Sequence, residues 1–326
     1  MLKLTKAFRY LSLALVFGVF TINSGVPANA SQESSQKNNS IEIQENLVKQ
    51  HYSELKSLGF PDETINFLAP DEINNILNNK FKFISSSSKK HLLFIEDKKE
   101  HKEIASVNLT DDEFNNYKID KTSILKKKLI ELSKKDLTLN KYISVDNTQN
   151  ILSSGDPSVS ETIDGAVLTL SVDAYDSSVD GYIYKTMGCN FQWSGCPSEA
   201  CTNAVAVSYS GYWWTTKSRG GYVIDKNGTR YTNYTPTIGA NGGGFSYSKT
   251  MYDNVYGRVS VTAGNTDSAV PGNYNFNVFG GYSYGKTGCT GISIGIDAGF
   301  IPSFSVSYGM KKIDFSPNPY VVVNTY

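Results

Sequence analysis

Asp173, Asp176 and Asp180 are the strong acid–base candidates of the C-terminal half, three carboxylates within eight residues at the end of an alternating segment. A glycosidase would need two such groups facing each other across a cleft. A calcium site would need more oxygen ligands than this run supplies without EF-hand spacing. The plainer reading is a solvated turn. His51, His91 and His101, the three histidines, all lie in the first half and show neither H-x-x-x-H nor H-E-x-x-H spacing, so they read as scattered surface or half-buried side chains. A His-dependent mechanism housed wholly in the C-terminal half is excluded by that inventory. No catalytic residue is assigned, the expectation leans away from an enzyme, and no metal or cofactor is expected.

Two further clusters are candidates. The four Cys, at Cys189, Cys196, Cys201 and Cys289, suggest disulfides in an exported domain. Three pairings are open to them; the favoured one joins Cys196 to Cys201 across a short loop and Cys189 to Cys289, because Lys185–Gly188 and Lys286–Gly288 look like equivalent approaches on two strands. Zinc would want C-x-x-C pairs, which are absent. Tyr212, Trp213 and Trp214 form the second cluster. Consecutive strand residues point to opposite faces, so both Trp can be buried only if both faces are covered. A solvent-facing ring there would be a sugar-stacking platform or a membrane-interface anchor, which makes Tyr212, Trp213 and Trp214 the candidate ligand-binding residues. The alternative is packing under a loop or beneath the N-terminal half.

The compartment in which these groups work is set by the first thirty residues. Lys3, Lys6 and Arg9 make a basic region, Leu11 to Ile22 an apolar one, and Ala28-Asn29-Ala30 a small-residue cleavage site, so the mature chain is expected to be secreted and to begin at Ser31. The apolar run is short of the roughly 20 residues of a permanent membrane helix.

Charge then divides the chain. Residues 31–155 hold 37 Asp, Glu, Lys and Arg in 125, against 22 in 171 afterwards, while all three Trp and all four Cys fall on the later side. A boundary follows in the run Leu152-Ser153-Ser154-Gly155-Asp156-Pro157. The expected organisation is a signal peptide (1–30), a flexible leader (31–44), an α-rich domain (45–152) and an antiparallel β domain (158–326). With a formal net charge of zero and no basic patch, nucleic acid is not an expected partner.

In the first half, Leu47, Val48, Tyr52 and Leu55 share a helical face over 45–58, closed by Gly59-Phe60-Pro61. Pro70-Asp71-Glu72 opens another helix with acids in its first turn. Phe81–Ile84 and His91–Ile95 read as short strands, Thr110 to Glu113 as a capping box, and Ile124–Leu132 as an amphipathic helix. The basic residues of Lys121–Lys135 raise the alternative of a membrane-surface helix, diluted by Asp120, Glu131 and Asp136. Period-two alternation takes over from Ala166 to Val172, from Ala204 to Ser210, and again near Val259, Phe276 and Ile292. Asp225-Lys226-Asn227-Gly228 marks a hairpin turn. The fold class is therefore α+β: a small α-rich N-terminal region followed by an all-β antiparallel sandwich or barrel-like domain. The stretch 290–308 also alternates as a transmembrane hairpin would.

Phe191-Gln192-Trp193, Pro197 and Asn203-Ala204-Val205-Ala206-Val207 together resemble a pattern that recurs in exported, uncharacterised proteins of Gram-positive spore-forming bacteria. Leu55 to Phe60 and Asp62 to Ile65 are similar to the short helical module found there. The Cys pair in the loop departs from that pattern. The resemblance implies origin and export, and no activity. The expected function is extracellular binding of an envelope glycan, a matrix component or a protein. The alternatives are a membrane-active, pore-forming-like secreted protein using the 290–308 hairpin, and a carboxylate-dependent extracellular hydrolase.

Overall fold

The charge boundary of the sequence does not divide the structure. In the computed structural model, Lys90–Asp97 of the charged half pairs antiparallel along its whole length with residues 163–170 of the β-rich half, Leu92 opposite Leu168 and Phe94 opposite Ala166. The structure describes residues 40–100, 102–144, 158–159, 162–179, 182–195, 200–210, 214–225, 227–232, 236–239, 241–248, 255–265, 276–286, 292–296, 302–306, 312–314 and 320–323. The export segment 1–30 and the run 152–157 lie outside these. Ser34–Tyr326 form one compact unit.

The helices are α1 (Ser40–Ser57), α2 (Asp62–Ile65), α3 (Pro70–Asn79), α4 (Asp111–Ile119) and α5 (Lys121–Ser133). Gly59, at φ +90°, ends α1, with Phe60 N–H donating back to Leu55 O. The capping box of α4 forms as the sequence spacing requires: Glu113 N–H donates to Thr110 Oγ1 and Thr110 N–H to Glu113 Oε2, each 3.2 Å.

The larger sheet runs β10 (Arg230–Tyr231), β9 (Trp214–Ile224), β13 (Tyr256–Asn265), β7 (Tyr184–Ser194), β6 (Ile163–Asp176), β2 (Lys90–Asp97), β3 (Lys102–Leu109), with β1 (Phe83–Ser86) also on β6. The smaller runs β11 (Pro236–Gly239), β12 (Gly242–Ser248), β8 (Ala200–Tyr209), β14 (Phe276–Lys286), β17 (Lys312–Asp314), with β18 (Tyr320–Val323) on β14. Their facing sides share one core, including Leu168, Leu170, Val172, Phe191, Trp193, Val205, Val207, Phe245, Val259 and Tyr282. This is an antiparallel sandwich, and among the described residues no barrel closes. Trp193 Nε1 donates to Tyr282 Oη at 2.9 Å, giving the buried indole a partner inside that core.

Helices cover the outer face of the larger sheet. α1 to α3 bury Leu55, Phe60, Ile65, Leu68, Ile73 and Ile76 against Tyr175 of β6, and α4 and α5 bury Phe114, Tyr117, Ile124 and Leu125 against Leu93, Ile95 and Val167. β6 is consequently buried on both faces over most of its length, which a half-exposed alternating strand would not be. β4 (Ile143–Ser144) pairs with β5 (Ser158–Val159), and outside the smaller sheet β15 (Ile292–Gly295) and β16 (Ser303–Val306) pair as a short hairpin, Ile292 opposite Val306.

Candidate functional site

The outer face of the larger sheet carries polar side chains where helices cover it, and one guanidinium organises them. On β13, Val259 and Val261 face the sandwich core, so Arg258 and Ser260 face the helices. Arg258 is 0% exposed. Its Nη1 donates to Asp173 Oδ2 at 2.6 Å and to Asn190 Oδ1 at 2.7 Å, its Nη2 donates to Asp173 Oδ1 at 2.8 Å, and its Nε donates to Glu72 at 3.2 Å. Asn190 Nδ2 donates in turn to Asp173 Oδ2 at 2.7 Å. Gly188 makes room for this fork, since a Cβ there would overlap the guanidinium. Burial alone would lower the Arg258 pKa; the Asp173 and Glu72 carboxylates outweigh it and hold the group well above its ordinary value.

Glu72 joins this network to the helix above. It sits in the first turn of α3, where Ala69 N–H donates to its Oε2 at 3.1 Å while its carboxylate also takes the Arg258 Nε–H. Tyr222 of β9 ties the same corner, donating its hydroxyl to Phe67 O at 2.7 Å. Between the start of α3 and the sheet lies a cleft of about 570 Å³, walled by Ala69–Glu72, Arg230, Thr232, Arg258 and Ser260 and floored by Gly220, Gly221 and Tyr222. That volume lies within the roughly 300–1,000 Å³ of small-molecule sites.

Arg230 differs from Arg258. Its guanidinium stacks on the Tyr222 ring, 4.6 Å from the centroid, and its Nε is buried without a hydrogen-bond partner. Its ion pair with Asp71 is long, 3.7 Å, and the Asp71 side chain is 85% exposed. Asp173 and Glu72 are thus engaged by Arg258, while Arg230 stands at the cleft wall with only the long contact to Asp71 as an ion pair. The chemistry this favours is recognition of an acceptor rather than proton transfer.

A second cavity of about 470 Å³ is lined by Ser86–Lys89, His91, Asp111, Phe114 and Lys118, among others. His91, its side chain 2% exposed, lies 2.8 Å through Nδ1 from Thr169 Oγ1 and 3.2 Å through Nε2 from Asp111 Oδ1. Because a carboxylate only accepts, Nε2 carries the proton and the Thr169 hydroxyl donates to Nδ1. Burial lowers the His91 pKa to about 4, against the pull of Asp111 in the other direction, so the ring is neutral near pH 7.

The sequence-derived candidates distribute as follows. Asp173 is not a solvated turn residue: it is 1% exposed and paired to Arg258. Asp176 accepts from Ser178 and pairs with Lys185 at 3.1 Å; Asp180 lies outside the described residues. Trp214 is 4% exposed within the sandwich core, so its ring is no ligand platform; Tyr212 and Trp213 lie outside the described residues. Cys189 is buried in the sandwich core and has no disulfide partner among the described residues. Cys196, Cys289 and the side chain of Cys201 are outside the described set, so the expected bridges remain expectations. His91 is brought beside Thr169 of the β-rich half, a pairing that counting His by halves had set aside. Glu72, Arg258 and Arg230 were not singled out. The available signal was Arg258 as a charge on the alternating strand of Val259 and Val261, legible only once that face is known to be covered.

Neither a known family nor a curated protein matches this chain. Among solved structures it is similar to the collagen-binding domain of a Staphylococcus aureus adhesin, at 7% identity over 41% of this chain and 93% of that one, with a TM-score of 0.25. It is similar to the collagen-binding subdomain of the Enterococcus faecalis surface protein ACE at 8% identity, 42% and 89% coverage and a TM-score of 0.24. The Clostridium perfringens NetB toxin in its membrane-inserted form gives 8%, 48%, 94% and 0.22 in the same order. Superpositions this loose carry neither fold nor function across. What the strands and the cleft themselves define is an α+β protein, a helix-covered antiparallel sandwich with a polar cleft on the covered sheet. Among the described residues no helix is long and apolar enough to cross a membrane.

Proposed function

We propose that this chain is a secreted binding protein that takes an extracellular ligand in the cleft between the start of α3 and β9. The observation that supports this most directly is Arg230: stacked on Tyr222 and 18% exposed, it lines a preformed cavity whose other guanidinium is already paired. Cleavage after Ala30 and the Gram-positive origin implied by the Phe191–Trp193 and Asn203–Val207 motifs agree with such a role.

Membrane insertion through 290–308 finds no support in the hairpin as folded. Ile294, on β15, is buried in the fold.

Gly220 offers a direct test, because a side chain there projects into the cleft past only Ser260 Oγ at 3.4 Å. Gly220→Leu is expected to abolish retention of the mature protein on insoluble envelope glycans and immobilised matrix proteins without changing its melting temperature. Retention equal to that of the unsubstituted protein would refute the cleft as the binding site.

A further inference from the structure

The connection between β6 and β7 overhangs the larger sheet. On one side β1 pairs with β6 no further than Tyr175, and on the other β13 reaches along β7 only to Tyr184, opposite Gly264. Beyond both neighbours the tip presents apolar side chains to solvent, Tyr182 at 66% and Ile183 at 53% exposure. We propose that this tip is a lipid-docking site, which seats the protein on the interfacial layer of a phospholipid bilayer, independently of the cleft.

The arrangement of the two side chains selects the partner. Neighbouring residues of an extended chain point to opposite faces. Tyr182 lies with Tyr184, the two rings stacked at 6.1 Å, whereas Ile183 shares the parity of Met187, Cys189 and Phe191, which face the sandwich core. A flat protein surface would bury one face of this ribbon and leave the other wet. A fluid interfacial layer closes around both. The residue types suit that layer, since Tyr combines an apolar body with a polar end that favours headgroup level, and Ile offers only apolar surface.

The backbone of the tip is prepared for a medium poor in water, where an unpaired polar group is costly. Val179 N–H donates to Tyr182 O at 3.2 Å and Tyr182 N–H to Val179 O at 2.8 Å, and Ser177 N–H donates to Tyr184 O at 3.1 Å. Side chains take further donors: Tyr184 N–H reaches Ser178 Oγ at 3.1 Å and Ser178 N–H reaches Asp176 Oδ1 at 3.0 Å. Asp176 at the base is paired with Lys185. The sequence 177–184 contains a single charged residue, Asp180, which limits entry to headgroup depth, about 5–10 Å. A Cβ on Gly264 would meet both the Tyr184 ring and Lys217 Cε, so the stem of the exposed Lys217 lies at the neck of the tip. From there its ammonium can extend to lipid phosphate.

The experiment is co-sedimentation of the mature protein with phosphatidylcholine vesicles. The unsubstituted protein is expected to sediment with them, and the double variant Tyr182→Ser, Ile183→Ser to partition about tenfold more weakly or less, with an unchanged melting temperature because both side chains are exposed. Ile119→Ser, which removes an 85% exposed apolar side chain at the end of α4, should bind vesicles as the unsubstituted protein does, as should Gly220→Leu in the cleft. An Ile183→Trp protein should gain fluorescence that lipids brominated near the headgroup quench.

Absence of the unsubstituted protein from the vesicle pellet would overturn lipid docking. If the double variant then also lost retention on immobilised matrix proteins, the tip would be a protein-docking site instead. Equal sedimentation of the double variant, or an equal loss in Ile119→Ser, would overturn the assignment to this tip. A loss in Gly220→Leu alone would place vesicle binding in the cleft and contradict the inference.

Discussion

At the residue scale the molecule turns on Arg258. Its partners come from positions 72, 173 and 190, on α3, β6 and β7, all at least 68 residues from Arg258 in the chain. Asp173 was visible as a carboxylate, but its partner was not, because a charge facing outward from a strand reads as solvated until a helix covers it. Removing one member of a buried ion pair leaves the other uncompensated. Asp173→Ala is therefore expected to destabilise the fold by about 3–5 kcal/mol, measured by urea unfolding; a loss within experimental error of zero would mean that Arg258 is not held as described. His91 gives a pH dependence. Its pKa lies near 4 in the fold against 6.5 in the unfolded chain, so the unfolded state binds more protons between those values. The fold is fully stable with respect to this group above pH 6.5 and loses on the order of 2 kcal/mol as pH falls toward 4. His91→Gln should flatten that part of the stability–pH curve, and an unchanged slope would contradict the buried, neutral ring.

At the scale of elements, local chemistry was legible. The capping box of Thr110 and Glu113, Gly59 ending α1, Pro70 opening α3, and the hairpin that sets Arg230 opposite Ile224 around Asp225–Gly228 all appear where residue types and spacing placed them. These are short-range decisions made by caps and turns. The docking of α1 to α3 was not legible, since Leu55, Phe60, Ile65 and Ile76 announce only that they need a core, not which one. That core includes Tyr175 of the β-rich half. Six fully buried Leu, Ile and Phe side chains there, at about 1.5–3 kcal/mol each, give an upper estimate on the order of 10 kcal/mol, comparable to the whole stability of an ordinary domain. A chain lacking residues 31–79 should show no cooperative unfolding transition by calorimetry. A truncated protein melting like the intact one would contradict this role of the helices in the fold.

At the scale of the whole molecule, composition separated two halves that pairing unites. The drop in charge after residue 155 was read as a domain boundary, yet its physical origin is burial: β6, β7 and β13 lie beneath helices on one side and the second sheet on the other, and have little use for charge. The charged half supplies the exposed cover and the other half the inner layers. The cleft exists only because the two meet, with Asp71 and Glu72 from one side of the supposed boundary and Gly220, Arg230 and Arg258 from the other. Hydrogen–deuterium exchange of the mature protein with and without soluble fragments of the envelope glycan or matrix protein that retains it tests this most directly. Added protection is expected at residues 69–72, 220–222 and 230–232 and none at 292–306. Protection confined to other surfaces would contradict the cleft as the place where this protein meets its ligand.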